Sequence, residues 1–325
     1  RYEWAIIQDR EQKCSYFTTT DVNLSGELEK RTANRRDDDP ISASIWHSDT
    51  SRSEYIEDLE KILEYIRAGD CYQVNYTQRF STICSADALS IYQRVRKSVS
   101  SPFSAFIPVD ADRAVISVSP ERFVTITNGS IVTQPIKGTI ARSEDEVVDG
   151  QRIERLRNSI KDRAENVMIV DLMRNDLGRV SKVGSVKVDK LFEIETYKNV
   201  HHLVSTVSSK LDDAADMVDV LRATLPGGSI TGAPKVRSME VIEELERTRR
   251  SAYCGSVCYL SDHGRMDSSI TIRTLVKDHN DLFIWGGGGI VADSDIELEQ
   301  QESRAKIRAF IEALNGRIAD ELEDG

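Results

Sequence analysis

The chain has 325 residues, of which 39% are hydrophobic and 30% charged, so it can bury a core of its own and is neither wholly disordered nor fibrous. Its formal net charge of −11 repels phosphate backbones, which argues against nucleic acid as a main partner. No apolar run reaches the roughly 20 residues of a membrane span and no signal peptide is visible; with five scattered cysteines and no CxxC, the sequence predicts reduced thiols in a cytoplasmic protein without membrane association.

Residues 1–20 read as one or two strands. The chain opens at Arg1 inside a strand-like pattern (Tyr2, Trp4, Ile6), as a piece of a longer protein would. Residues 21–52 are polar and charged, including Arg-Arg-Asp-Asp-Asp-Pro, and read as a mobile connection, not core. The predicted organisation is therefore an N-terminal remnant with its linker over 1–52 and one main domain over 53–325. A helix follows, with Ser51 and Glu54 as a capping box, Ile56, Leu59, Leu63 and Ile66 on one stripe, and Gly69 closing it. Residues 71–80 read as a strand and 86–98 as a helix.

Residues 104–139 predict a strand meander with a hairpin turn at Asn128-Gly129. Helices are expected over 149–161 and 162–176, strands over 185–188 and 201–208, and a helix over 214–224. The Gly-rich loop Pro226–Ala233 leads into a helix that Pro234 can open. Strands over 253–260, 266–276 and 281–286, the run Gly286–Gly289 and a helix from about 295 complete the chain. Antiparallel sheets with interspersed helices make the fold class α+β.

Four features could carry chemistry. Asp162 and Glu165 stand three apart on one predicted helix, and Glu299 and Glu302 three apart on another. That spacing puts each pair on one helix face. Two such faces brought together suit Mg²⁺, although the same spacing also serves a solvated acidic face. The loop Pro226-Gly-Gly-Ser-Ile-Thr-Gly-Ala-Pro-Lys235 lacks the Lys-Ser/Thr of a P-loop, so it disfavours ATP. It reads either as an anion site or as a plain tight turn. Gly286–Gly289 allows close backbone approach or serves as a flexible turn. Lys137 in Pro-Ile-Lys-Gly-Thr is either a desolvated nucleophile or a surface lysine. Of His201 and His202, adjacent in a strand, at most one reaches a given site.

Together and in order, these signals resemble the chorismate-utilising enzyme family over about residues 53 to 313. The blocks are AGDCYQVNYTQRF (68–80), SPERF (119–123), PIKGT (135–139), KDRAENVMIVDLMRNDLGRV (161–180), HHLVSTV (201–207), LPGGSITGAPKVRSMEVIEELE (225–246), SSITIRT (268–274) and GGGGIVADSDIELEQQES (286–303). The family has aminating branches (aminodeoxychorismate and anthranilate synthases) and branches that use water (isochorismate and salicylate synthases). Lys137 resembles the aminodeoxychorismate branch, since anthranilate synthases carry alanine there. Gln73 stands where the water-using branches place a lysine, which argues against water as nucleophile.

The resemblance implies two facing antiparallel β-sheets flanked by outer helices, with the site in a cleft between the layers. It implies a transferase that aminates chorismate to 4-amino-4-deoxychorismate, a precursor in p-aminobenzoate and folate biosynthesis. Glu165 and Glu302 are expected to bind Mg²⁺ directly, supported by Asp162 and Glu299. Arg273, the amides of Gly287, Gly288 and Gly289, and Lys306 are expected to hold substrate carboxylates. Gln73, Ser229 and Tyr253 line the pocket, and His202 lies near the ring carboxylate. Lys137 is the expected nucleophile at C2, and Glu121 the acid for the C4 hydroxyl. Cys71 lies in Gly-Asp-Cys-Tyr-Gln rather than a glutaminase elbow, so the expected partner is a separate glutamine amidotransferase supplying ammonia. The alternatives are anthranilate synthase component I and a non-catalytic amidotransferase-binding subunit. Family members usually carry more sequence ahead of this start, so no regulatory site is assigned.

Overall fold

The computed structural model describes residues 4–9, 12–19, 41, 43, 45–99, 101–197 and 200–322. The chain divides into two compact units, 1–40 and 41–325. In the first, β1 (Trp4–Asp9) and β2 (Cys14–Thr19) form an antiparallel hairpin, from Trp4 opposite Thr19 to Asp9 opposite Cys14. Residues 20–40, most of the connection expected over 21–52, lie outside the described residues. The second unit begins ahead of residue 53, the start expected for the main domain.

In chain order the second unit contains β3 (Ile45–Ser48), α1 (Arg52–Ala68), β4 (Gln73–Ile83), α2 (Ala88–Ser98), β5 (Phe103–Pro108), β6 (Arg113–Ser119), β7 (Arg122–Thr127), β8 (Ser130–Thr133) and β9 (Ile136–Ala141). It continues with α3 (Glu146–Arg157), α4 (Ile160–Gly178), β10 (Lys187–Thr196), β11 (Val200–Lys210), α5 (Met217–Thr224), β12 (Gly232–Ala233) and α6 (Lys235–Leu245). It ends with β13 (Ser256–Ser261), β14 (Arg265–Ile270), β15 (Thr274–Asp278), β16 (Asp281–Ile290), α7 (Ile296–Ala313) and β17 (Arg317–Ile318). No helix among the described residues is long and apolar enough to cross a membrane. All five cysteines are free.

Two large sheets organise this unit. One runs β10-β11-β8-β7-β14-β13, with β9 also paired to β11. The other runs β17-β3-β4-β16-β15-β6-β5, with β12 on β4. The pairings are antiparallel except that of β17 with β3. The fold is α+β, as the sequence predicts.

Period-2 alternation explains how β4 serves two layers. Val74, Tyr76 and Phe80 face apolar clusters shared with α1, α6 and α7, while Gln73, Asn75 and Thr77 present a buried polar face on the other side. Trp285 of β16 packs into the core built on the first sheet, beside Ile270 and Phe123, and so joins the two sheets. Helix α4 covers the first sheet with Ile169, Val170, Met173 and Leu177.

Several elements differ in detail from the sequence reading. The capping box of Ser51 and Glu54 forms, and Gly69 ends α1 in the left-handed region. The buried stripe of α1, however, centres on Tyr55, Leu59 and Ile62, because the Tyr55 ring meets Tyr76 of β4 at 5.6 Å. The strand expected over 266–276 is two strands in different sheets, and the chain crosses between sheets at Thr271–Arg273. The run Gly286–Gly289 lies within β16, not in a turn after it.

Candidate active site

Lys137 and Thr139 alternate along β9, so both side chains leave the same face of the strand. His202 of β11 lies opposite Thr139, and its Nδ1 is 2.8 Å from Thr139 Oγ1. Its ring also meets Tyr197 edge-on at 5.4 Å. Burial holds the His202 imidazole below its usual value, against the pull of Glu195. His201 points the other way and is buried against Asp149 at 3.0 Å and Thr196 at 2.9 Å. Of the two histidines, only His202 shares a face with Lys137.

Ser229 joins the two residues expected to do the chemistry. Lys137 Nζ donates to the Ser229 main-chain carbonyl at 3.4 Å. Ser229 also acts on the carboxyl of Glu121, which is 8% exposed between β6 and β7. Desolvation raises the Glu121 carboxyl above the usual range, against the opposing pull of Lys137 and Ser229. The loop carrying Ser229 is tied at several points. Gly232 and Ala233 pair with Val74 and Gln73, Lys235 Nζ reaches Asp176 at 2.5 Å, and Arg250 donates to the Ile230 carbonyl at 2.7 Å.

The two acidic pairs sit on separate helices, α4 and α7, and are brought together. Lys161 Nζ crosses from α4 to Glu299 Oε1 at 2.9 Å. Ser294 Oγ donates to the same oxygen at 2.7 Å. Lys306 binds Glu302 at 2.7 Å and donates to the Gly287 carbonyl at 2.9 Å. Burial raises the Glu165 carboxyl, with Asp162 and Glu299 adding to the rise and Lys137 and Lys161 opposing it. Glu165 makes no hydrogen bond or ion pair among the described residues. Glu302 is half open to solvent; desolvation on its protein side works upward, but Lys306, Lys161 and Lys137 together lower the carboxyl.

The acid set suits a hard divalent cation in kind, since it offers carboxylate oxygens only and leaves Glu165 without a partner. Among the described residues, no three His, Cys, Asp or Glu groups converge closely enough to hold a metal as they stand. Two ammonium groups are the cations in contact with these acids instead.

Arg273 stands at the crossing between the sheets, with φ +53 and its carbonyl accepting from Val118 N at 3.0 Å. Its guanidinium makes no ion pair or hydrogen bond among the described residues. Desolvation lowers its pKa, against Tyr253 and Glu302. A desolvated cation without a counter-ion is costly and suits an incoming anion. Nearby, β16 pairs with β15 only over Asp281–Ile284, while β4 covers its other edge through Ile290. Alternate amides beyond Ile284 therefore lack a strand partner on one flank.

The remaining expected residues line this region. Tyr253 is 7% exposed, stacks on Trp285 at 5.7 Å, and its hydroxyl is raised by burial. Gln73 is fully buried, with neither amide atom partnered, and its carboxamide fills the space a side chain at Gly289 would take. The glycine run lets α7 approach β16: a Cβ at Gly286 would lie 2.7 Å from the Ser303 carbonyl, and one at Gly288 would lie 3.3 Å from Glu299 Oε2. Lys161 and Gly138 lie at this cluster although the sequence reading did not single them out. Each adjoins a residue that it did, which is the one signal available.

A family model described as chorismate binding enzyme matches residues 2–312. Aminodeoxychorismate synthase component 1 of Salmonella typhimurium is 47% identical over 315 residues, covering 96% of this chain and 69% of that protein. Anthranilate synthase component 1 of Aquifex aeolicus is 43% identical over 279 residues, covering 86% of this chain and 56% of that protein. The crystal structure of anthranilate synthase component I from Streptococcus pneumoniae TIGR4 superposes with a TM-score of 0.85 at 31% identity, covering 95% of this chain and 72% of that one.

Proposed function

The chain belongs to the chorismate-binding enzyme family, and on that premise we propose that it aminates chorismate to 4-amino-4-deoxychorismate. The observation that carries this reading is the meeting of Lys137 and Glu121 at Ser229. The similarity to aminodeoxychorismate synthase component 1 supports it.

Substrate carboxylates pair with Arg273, whose planar fork suits them, and with Lys306 and those amides of the Gly287–Gly289 run that are not turned toward β4. His202 lies near the ring carboxylate, and Gln73, Ser229 and Tyr253 bound the pocket. Glu165 and Glu302 would hold Mg²⁺ directly, with Asp162 and Glu299 in support. The cation, when bound, neutralises and orients the ring carboxylate.

Glu121 supplies the proton that lets the C4 hydroxyl leave as water. The Lys137 side-chain nitrogen forms a bond to C2, and the ring double bonds shift as C4–O breaks. Ammonia then bonds to C4, the double bonds shift back, and the bond between C2 and Lys137 breaks. The proton lost by nitrogen returns to the Glu121–Lys137 pair. Chorismate and ammonia thus give aminodeoxychorismate and water, a precursor of the p-aminobenzoate part of folate. Ammonia comes from a separate glutamine amidotransferase, in keeping with the "component 1" in the relatives' names. Five free cysteines fit a cytoplasmic setting.

Anthranilate synthase component I is the second reading, favoured by the Aquifex and Streptococcus similarities. Incubation with chorismate, Mg²⁺ and an ammonium salt separates the two. Aminodeoxychorismate that needs a separate lyase to become p-aminobenzoate supports the proposal; fluorescent anthranilate with pyruvate defeats it. A non-catalytic subunit would be stabilised by chorismate with Mg²⁺ and consume none.

A further inference from the structure

We infer that Lys161 is the built-in counter-cation of the acid cluster, and that its ammonium group must leave Glu299 when a divalent cation binds. The inference rests on the metal site proposed above. Glu165 on α4 is acted on by Asp162 of its own helix and by Glu299 of α7, and such like charges repel unless something neutralises them. Lys161 bridges the helices through Glu299, and its charge also acts on Glu165 and Glu302. Asp162, Lys137, Lys306 and Arg273 are further charged groups around the cluster.

The two lysines at the cluster are held differently. Lys306 is held twice, by Glu302 and by the Gly287 carbonyl, so it stays with β16. Among the described residues Lys161 has the single partner Glu299, and its side chain is 40% exposed, which leaves it room to turn outward. Lys161 and Ser294 both occupy Glu299 Oε1, so the carboxylate keeps one oxygen for any other cation. A metal ion entering the cluster thus meets a positive charge already in place. Its displacement becomes part of the binding equilibrium and weakens the apparent affinity.

Calorimetric titration of Mg²⁺ into the substrate-free full chain tests this with wild type, Lys161→Gln and Lys161→Arg. We expect Lys161→Gln to bind Mg²⁺ at least fivefold more tightly than wild type, and Lys161→Arg to stay within twofold. Without metal, Lys161→Gln should melt below wild type and gain more from saturating Mg²⁺. Equal or weaker binding by Lys161→Gln, with wild type binding normally, overturns the role of Lys161 and leaves the metal site standing. Absence of binding by wild type overturns the site itself. Should Lys161→Gln fold only with Mg²⁺ present, competition of the loaded protein against a Mg²⁺ indicator dye reads the same constant.

Discussion

Gly138 and Asp162 lie so close that a methyl group would not fit between them: a Cβ on Gly138 would be 2.9 Å from Asp162 Cγ and 2.8 Å from Leu156 Cδ1. This contact seats the strand carrying Lys137 directly against the start of α4, where the first acidic pair stands. Gly138 also has φ +79, a conformation that side chains resist. We predict that Gly138→Ala lowers stability by about 2 kcal/mol or more. It should also reduce kcat while leaving the aggregate secondary structure intact. Denaturant unfolding and steady-state kinetics check both, and a variant as stable and as active as wild type would show that the close seating is dispensable.

Glu121 must hold a proton to act as an acid, and burial raises its carboxyl. Activity should therefore fall on the alkaline side as pH passes the raised value. Glu121→Gln should lose roughly 10²–10⁴-fold in kcat together with that alkaline limb. The stability sign runs the other way. A carboxyl raised in the folded state costs nothing below its unfolded value and destabilises as pH rises through the folded value. Glu121→Gln should thus melt higher than wild type at pH 8. A pH–rate profile and a melting curve read the two effects, and an unchanged alkaline limb would remove Glu121 as the acid.

Arg273 carries a desolvated charge that makes no ion pair or hydrogen bond among the described residues. Arg273→Gln should raise the KM for chorismate roughly 10- to 150-fold, the loss of a charged hydrogen bond worth about 1.5–3 kcal/mol. The same change should raise thermal stability, because it removes a charge that the folded protein leaves uncompensated. An unaltered KM would assign the carboxylate contact elsewhere.

Glu165→Gln and Glu302→Gln should each weaken the Mg²⁺ dependence of turnover by about tenfold or more, since each removes a charged oxygen donor from the proposed metal site. Activity measured across a Mg²⁺ series checks this. A response equal to that of wild type in both variants would place the cation away from these helices.

Local signals in the sequence were the readable ones. The capping box of Ser51 and Glu54 and the turn at Asn128-Gly129 act over a few residues, so their chemistry alone specifies them. The split of residues 266–276 was not readable. Ser-Ser-Ile-Thr-Ile-Arg-Thr keeps a strand-like pattern, and Arg273 takes a positive φ without a glycine to announce it. The break exists because the chain must pass from one sheet to the other, a tertiary demand. Spacing likewise placed each acidic pair on one helix face but could not say that the faces meet. That depends on Lys161 reaching Glu299, 138 residues away. Lys161 itself stood unnoticed because a lysine beside an aspartate on a helix reads as an ordinary solvated charge.

The claim that Lys137 bonds to the substrate during turnover is tested most directly by intact-protein and peptide mass spectrometry of enzyme quenched in the presence of chorismate and Mg²⁺. The account predicts a chorismate-derived adduct, one water lost, on the peptide containing Lys137. It should disappear in Lys137→Ala, which should also lose roughly 10³-fold or more in kcat while still binding Mg²⁺. Full turnover by Lys137→Ala, with no adduct on the wild-type lysine at any quench time, would contradict it.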